Sequence, residues 1–188
     1  MKKLYLFYIA FFPIMFCSGI IHSIFALYIE EFGVVKTEIG LVFTIGSLVG
    51  AIFSPFIGKL VDRKGKIPFI LLSSFSFFIA FMGYSLAKNF SSIILSQIIE
   101  GAAWATFTIS ASALIADMVP AEKRGYAYAI YNQFWYFGWI IGPVSGGFLS
   151  EKFGFRIALL IGAGLNFISF IGIFLLHFLF SKKNRADS

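Results

Sequence analysis

Charged side chains are scarce in this chain. Only 13% of its 188 residues are Asp, Glu, Lys or Arg, whereas 59% are hydrophobic and 20% are aromatic. A soluble domain of this size carries about 25% charged residues. So little charge cannot cover a globule in water, and this excludes an ordinary soluble domain.

Cysteine and metal-binding patterns are scarce as well. The one cysteine, Cys17, excludes an internal disulfide, and the two histidines form no metal-spaced set with it. The sequence has no phosphate-binding loop and no pair of carboxylates placed for catalysis outside the apolar segments. We therefore expect no enzyme activity, no metal and no bound cofactor.

Long apolar runs dominate what remains. About 20 residues of helix cross the roughly 30 Å hydrocarbon core of a bilayer. Six runs of this kind, numbered helices 1 to 6, lie at about 4–28, 39–58, 67–87, 92–116, 126–149 and 157–180. The sequence predicts an all-α membrane protein, a single domain over 1–188. The first run is too long for a signal peptide and lacks a small-residue cleavage site, so we expect it to be retained.

The basic residues are distributed unevenly between the two ends of these helices. The outer segments would hold only Lys36, Lys88, Lys152 and Arg156, and the inner ones Lys2, Lys3, Lys59, Arg63, Lys64, Lys66, Lys123, Arg124, Lys182, Lys183 and Arg185. This bias predicts that both termini are cytoplasmic, in the plasma (cytoplasmic) membrane. The net charge of +6 therefore reports orientation, and we expect no nucleic-acid partner.

A weak internal repeat relates helix 2 to helix 5. Helix 2 reads G-x-x-x-S-P-x-x-G from Gly50, and helix 5 reads G-x-x-x-G-P-x-x-G from Gly138. An acid, a base and a glycine follow each pattern. Because helices 2 and 5 cross in opposite directions, the repeat predicts a 3+3 inverted arrangement of helices 1–3 and 4–6.

The connection between helices 2 and 3 carries a specific motif. It reads G-x-L-x-D-R-x-G-K and includes Gly58, Asp62, Arg63, Gly65 and Lys66. This resembles the cytoplasmic loop between helices 2 and 3 of major facilitator superfamily transporters, with Ile67 in place of a following basic residue. An acid is disfavoured at the negative end of a helix, so we expect Asp62 to have a cationic partner. The resemblance implies a charge network that latches the two transporter halves; the alternative is an ordinary positive-inside loop.

The connection between helices 4 and 5 also resembles that family. It reads D-x-x-P-x-x-x-R-G from Asp117 to Gly125, with Pro120 ending helix 4. The resemblance implies that Lys66 is the partner of Asp117 and that Arg124 belongs to the same latch. A generic helix-ending loop is the alternative.

Helix 5 supplies the third resemblance. Its G-x-x-x-G-P-x-x-G-G signature consists of Gly138, Gly142, Pro143, Gly146 and Gly147. Three of these glycines share one face and predict tight helix packing, and proline predicts a bend. Helix 2 is expected to carry a matching seam through Gly46, Gly50, Ser54 and Gly58. In the family this signature is associated with drug–proton antiporters; a purely structural role is equally compatible.

Ionisable groups within a bilayer are rare and predict functional sites. Glu100 in helix 4 and His22 in helix 1 fall at similar depth, and in the resembled fold both helices line the central cavity. We therefore predict a Glu100–His22 pair able to bind and release a proton, with a neutral, hydrogen-bonded Glu100 as the alternative. The other candidate cavity residues are Gln97, Trp104, Asn132 and Trp135. The family often has an arginine where Gln97 stands, and its absence argues against simple drug–proton antiport.

The family has twelve helices, and this chain resembles its N-terminal six-helix half. The resemblance implies a secondary active transporter that exports small or amphipathic molecules by alternating access, driven by a proton gradient. Its expected partners are the lipid bilayer, a small-molecule substrate, and either a second parallel copy or a C-terminal-half partner. There are two alternatives. The chain could be a fragment of a longer transporter, including one that works in uptake, or a non-transporting assembly subunit.

Overall fold

The structure is a computed structural model that describes the backbone of residues 2–186 and the side chains of residues 2–180. It contains six helices, α1 to α6, at Lys2–Glu30, Lys36–Lys64, Lys66–Ser85, Phe90–Met118, Arg124–Phe153 and Phe155–Ala186. A short 3-10 helix, Ala121–Lys123, precedes α5. The predicted all-α architecture is confirmed. The side chains of Lys182, Lys183 and Arg185, which belong to the predicted inner basic cluster, lie outside the described residues.

The helices extend beyond the apolar runs that predicted them. Helix α2 continues through Lys64 and ends at Gly65, whose φ of 91° favours glycine. The motif that begins at Gly58 is therefore mainly the last two turns of α2 and not a loop. Charged side chains ended the hydropathy signal there, but the backbone hydrogen bonds of a helix do not depend on side-chain polarity.

Five of the six helices are long and apolar enough to cross a membrane, namely α1, α2, α3, α4 and α6. Helix α5 was predicted from sequence as a sixth apolar run, but no part of it reaches the same hydropathy. Its glycines and its polar residues, including Asn132 and Gln133, lower the average. Length and composition alone thus identify α5 less clearly than its neighbours.

The helix pairs follow the predicted inverted repeat. Helix α1 packs on α5 and α6, while α4 packs on α2 and α3, and α3 also packs on α6. Exchanging α1–α3 with α4–α6 converts the α1–α5 pair into the α4–α2 pair and the α1–α6 pair into the α4–α3 pair, and it leaves the α3–α6 pair unchanged. The packing therefore has the twofold relation of a 3+3 inverted repeat, which is half of a major facilitator fold.

Two end faces can be told apart by their contacts. On one, Lys3 lies 5.0 Å from the ring centre of Phe180, and Lys66 contacts Asp117. On the other, Arg156 donates a hydrogen bond to the carbonyl of Ala87 at 2.7 Å. We call these the Lys66 face and the Arg156 face. The start of α1 and the end of α6 share the Lys66 face, as an even number of crossings requires.

Candidate functional site: a cavity between α1, α2 and α4

A cavity of about 370 Å³ lies between α1, α2 and α4. Most of its wall is apolar or aromatic, with Phe25 from α1 and Phe43 from α2. Its polar lining comes from few side chains, which are Ser18, His22, Ser47, Ser54, Gln97, Glu100 and Thr108. An apolar cavity with few convergent polar groups is the usual form of a small-molecule site.

Small residues bring α2 against α4 on one side of this cavity. A methyl group built at Gly101 would overlap the carbonyl oxygen of Gly46 and lie 2.9 Å from its Cα atom. Gly50 is looser, since a methyl there would lie 3.5 Å from the Gly101 carbonyl oxygen. Gly58 has nothing within 4 Å, so the close contact between α2 and α4 does not extend to that end of the predicted seam. The contact with α4 uses Gly46 and Gly50, about two to three turns nearer the start of α2.

Glu100 is the only acidic residue lining the cavity among the described residues, and its side chain is 5% exposed. Its Oε2 atom lies 2.6 Å from the hydroxyl of Tyr84, in α3. Its Oε1 atom accepts a hydrogen bond of 3.3 Å from the indole Nε1 of Trp104, one helical turn away. Both carboxyl oxygens are thus held by neutral partners, which fixes the side chain.

His22 lines the same cavity but does not pair with Glu100. Its ring lies 4.6 Å from the ring of Trp139 in α5, at an angle of 44°. Among the described side chains, no hydrogen bond joins His22 to Glu100, so the predicted direct pair is not formed in this structure. The reason is that His22 stacks toward α5, whereas Glu100 is held from the α3 side.

The remaining candidates divide between the cavity and its surroundings. Gln97 and Trp104 line the cavity. Trp135 lies behind it, with its ring 5.4 Å from that of Trp104. Asn132 is exposed on α5 and lines no part of the cavity, contrary to the expectation.

The sequence analysis missed Tyr84, which does not line the cavity but lies against two residues that do, Gln97 and Glu100. Its side chain is fully buried, and its backbone carbonyl accepts a 2.7 Å hydrogen bond from the Tyr28 hydroxyl. A buried tyrosine hydroxyl normally finds a partner. The sequence did contain a signal for this contact, because Tyr84 lies in an apolar helix and an intramembrane acid, Glu100, lies in the next helix.

The glycines of α5 form the other close helix contact. Methyl groups built at Gly138, Gly142 and Gly146 would each lie 2.7 Å from backbone atoms of α1, at Met15, Gly19 and Ile20. Gly147 has open space around it and takes no part. Helix α5 runs unbroken through Pro143, whose carbonyl accepts a 3.2 Å hydrogen bond from Ser23 of α1. The predicted bend at Pro143 stays a prediction.

The Lys66 face carries the charged motif. Lys66 Nζ lies 2.6 Å from Asp117 Oδ2, which joins the start of α3 to the end of α4. Arg124 Nε donates a 3.2 Å hydrogen bond to the carbonyl of Ala116, near the C-terminus of α4. The structure thus contains the pair that the resemblance implied for Asp117. Asp62, for which a cation was expected, makes no ion pair within residues 2–180.

These features define a polytopic helical membrane protein with a ligand-sized cavity between three of its helices. The sequence profile of the Major Facilitator Superfamily matches residues 7–188, and the chain belongs to that family. Membership in a family of membrane transporters agrees with the expectation that the chain is not an enzyme.

Curated relatives include the multidrug resistance protein MdtG of Salmonella choleraesuis and that of Salmonella typhi. Each is 35% identical over 163 residues, which are 84% of this chain and 39% of the relative. A bacterial homologue of the human lysosomal transporter Spinster, solved in an inward-facing and occupied conformation, superimposes with a TM-score of 0.77. That match covers 92% of this chain and 43% of the other, at 19% identity, and shows the shared fold. The chain therefore spans about two fifths of the length of the MdtG relatives.

Proposed function

We propose that this chain is one half of a secondary active transporter that exports small amphipathic molecules in exchange for protons. The observation that carries the proposal is Glu100, a nearly buried carboxyl group facing a cavity within the bundle. A charged side chain at the centre of a bilayer costs at least about 2.5 kcal/mol, so it is rarely retained without a role.

The cavity fits a small amphipathic substrate. Its volume of about 370 Å³ lies within the range of roughly 300–1,000 Å³ typical of small-molecule sites. Phe25, Phe43 and Trp104 offer apolar and aromatic surface, and Glu100 offers a site for a proton or for the cationic group of a ligand. A proton and a cationic ligand would compete for this carboxylate, which would couple their movements in opposite directions.

The relatives favour export over uptake. Both MdtG proteins are named multidrug resistance proteins, and the α5 glycine signature is the one associated with drug–proton antiporters. Such antiporters often carry arginine where this chain has Gln97. Because Gln97 is uncharged, Glu100 is the ionisable group that α4 contributes to the cavity. We propose His22 as a second proton-binding group on the opposite wall.

The Lys66 face is proposed to contact the second half of the transporter. Lys66 and Asp117 tie α3 to α4 within this chain, whereas Asp62 and Arg63 are exposed on the last turn of α2. Exposed charges of both signs at one helix end suit a contact that forms and breaks during alternating access. The second half would be a parallel copy or a separate C-terminal-half partner. The bias in Lys and Arg supports a cytoplasmic location for this face, and the membrane proposed for the chain is the plasma membrane.

The test measures proton-driven efflux of ethidium, a lipophilic cation, from inverted membrane vesicles containing the full chain. An imposed pH gradient is expected to drive ethidium accumulation with the wild-type chain. Glu100→Gln should abolish the gradient-dependent part, because the variant cannot exchange a proton. Glu151→Gln, which removes an exposed acid at the end of α5 outside the cavity, is the matched control and should retain it.

Native mass spectrometry of the same vesicles reports whether the active species is a dimer of this chain. Ethidium flux that is equal in the wild type and in Glu100→Gln would contradict the proposal. So would an absence of gradient-driven flux from a chain shown to be dimeric and folded, and a non-transporting assembly subunit would then be the better description.

A further inference from the structure

The hydroxyl group of Tyr84 faces two oxygen acceptors at once. It lies 2.6 Å from Glu100 Oε2 and 2.6 Å from Gln97 Oε1. A phenol has one proton to donate. If Glu100 were ionised in this arrangement, two acceptors would compete for that proton, and one would be left unsatisfied in a buried site.

A proton on Glu100 resolves the conflict. Its Oε2–H then donates to the Tyr84 oxygen, Tyr84 donates to Gln97 Oε1, and Glu100 Oε1 still accepts from Trp104. Each oxygen in this series of hydrogen bonds then has a donor or an acceptor as its role requires. This is the arrangement expected when Glu100 is neutral.

Loss of that proton to water in the cavity requires a defined rearrangement. Tyr84 must turn its proton from Gln97 to the Glu100 carboxylate. The Tyr84 oxygen then needs a new donor, and the amide group of Gln97 can supply it only by rotating Nε2 toward Tyr84. No covalent bond other than the O–H bond of Glu100 changes.

The other end of this amide lies at the contact between α2 and α4. A methyl group built at Gly46 would overlap Gln97 Nε2 and lie 3.1 Å from its Cδ atom. Both Gln97 and Gly46 line the cavity. Rotation of the amide would replace a hydrogen-bond donor with an acceptor at this point of the wall.

We infer that Tyr84 is a positioning residue that ties the proton on Glu100 to the orientation of the Gln97 amide at the α2–α4 contact. This deepens the proposed function, on which it rests for its biological meaning. The cavity wall offers an amide donor when Glu100 is neutral and an amide acceptor beside a carboxylate when it is ionised. The ligand preference of the cavity would then change with each proton bound.

Few other titratable groups face Glu100. Helix α1 contributes His22 on the cavity wall and Tyr28, whose hydroxyl is engaged by the Tyr84 carbonyl. Helix α3 contributes Tyr84 itself. Helix α2 contributes Gly46, Ser47 and other uncharged residues, and Trp135 of α5 lies against the ring of Trp104 without lining the cavity. No lysine or arginine lines the cavity within the described residues.

Infrared difference spectroscopy of the full chain in lipid nanodiscs tests the inference without a transport assay. The carboxylic acid band of Glu100 is assigned by its loss in Glu100→Gln. Glutamine labelled with ¹³C at the side-chain carbonyl reports the Gln97 amide, because the only other glutamine is Gln133. We expect the Gln97 amide band to change with pH together with the Glu100 band.

Tyr84→Phe should shift the Glu100 acid band to higher frequency, because its O–H loses its acceptor, and should abolish the pH response of the Gln97 amide. Tyr8→Phe is the matched control. Tyr8 is equally buried, and its hydroxyl donates a 2.8 Å hydrogen bond to the Ala127 carbonyl and not to Gln97 or Glu100. It should leave both bands unchanged.

A Gln97 band that does not respond to pH in the wild-type chain would overturn the inference. So would a Tyr84→Phe spectrum identical to that of the wild type. If Tyr84→Phe does not fold, Gln97→Met is used instead. A Glu100 band that Gln97→Met leaves unchanged would equally reject the coupling of Glu100 to Gln97 through Tyr84. If ethidium is transported but the Gln97 amide band does not change with pH, only this inference is rejected. If the band changes with pH but no ethidium is transported, only the proposed transport is rejected.

Discussion

The α1–α5 and α2–α4 contacts are counterparts under the inverted repeat, yet they are built differently. Three glycines of α5 lie directly on the backbone of α1. On the other side, the backbones of α2 and α4 meet closely at Gly46 and Gly101, and a cavity lies beside this point. The first, which we call the closed contact, is a close backbone contact over about two helical turns, and the second, the open contact, is one at a single pair of glycines.

This difference indicates where the repeat departs from symmetry. The pairing of helices follows from the fold and is the same in both halves of the repeat. The side chains decide what each pair can do, since glycine allows backbone contact, whereas Gln97 and Glu100 need space and hydrogen-bond partners. The closed contact suits a rigid support, and the open one suits a binding site.

The largest effect is expected from Gly142→Ala in the closed contact. The new methyl group would lie 2.7 Å from Gly19 Cα and from the Phe16 carbonyl oxygen, and backbone atoms cannot move aside without separating the helices. We expect a loss of about 1–3 kcal/mol in the free energy of unfolding. Thermal unfolding of the purified chain in detergent measures it.

Gly147→Ala is the control for that variant. It has open space, so it should be neutral or gain up to about 1 kcal/mol from the better helix propensity of alanine. Equal stability of the two variants would show that the α1–α5 contact is not as close as described here.

A smaller effect is expected from Gly46→Ala in the open contact. Its methyl group meets the end of the flexible Gln97 side chain and not backbone, so the amide can be displaced. We expect a smaller loss of stability than for Gly142→Ala, accompanied by a shift of the ¹³C-labelled Gln97 amide band. A loss as large as that of Gly142→Ala would mean that the two contacts are equally rigid.

The smallest effect concerns the junctions that follow α2 and α5. Each is a glycine with positive φ, 91° at Gly65 and 81° at Gly154, but Lys66 follows the first and Phe155 the second. Lys66 and Asp117 are 24% and 56% exposed, so their pair should contribute about 0–1 kcal/mol.

Lys66→Met is accordingly expected to lower the unfolding temperature slightly, and the difference from wild type should vanish at high salt. Lys64→Met, which removes an exposed charge two residues away, should have no such salt-dependent effect. A salt-independent loss for Lys66→Met would point to packing of its side chain instead of the ion pair.

Most of the fold could be predicted from the sequence because its causes are local or set by the membrane. Apolar runs of bilayer length form helices, and the glycine pattern from Gly138 to Gly146 marks a packing face. The pairing of Lys66 with Asp117 followed from family resemblance. The extension of α2 to Lys64 could not be predicted in this way, because hydropathy does not detect the part of a helix that continues into water.

The candidate site could be predicted only in part. Glu100, Gln97, Trp104 and His22 stood out as polar or aromatic residues at similar depth, and they do share one cavity. Their partners did not follow, because periodicity places a side chain on a helix face but does not say which helix faces it. Asn132 was misplaced for this reason, and Tyr84 was overlooked.

The sequence by itself therefore determined the membrane-spanning helices, their likeness to a transporter family and the presence of a buried acid. Each of these depends on composition or on spacing along one helix. Only the tertiary structure decided that Glu100 is held by Tyr84 and Trp104, that His22 turns to Trp139, and that α2 meets α4 at Gly46. Those contacts depend on the rotation and depth of helices packed side by side, which distances of a few ångströms fix and residue patterns do not.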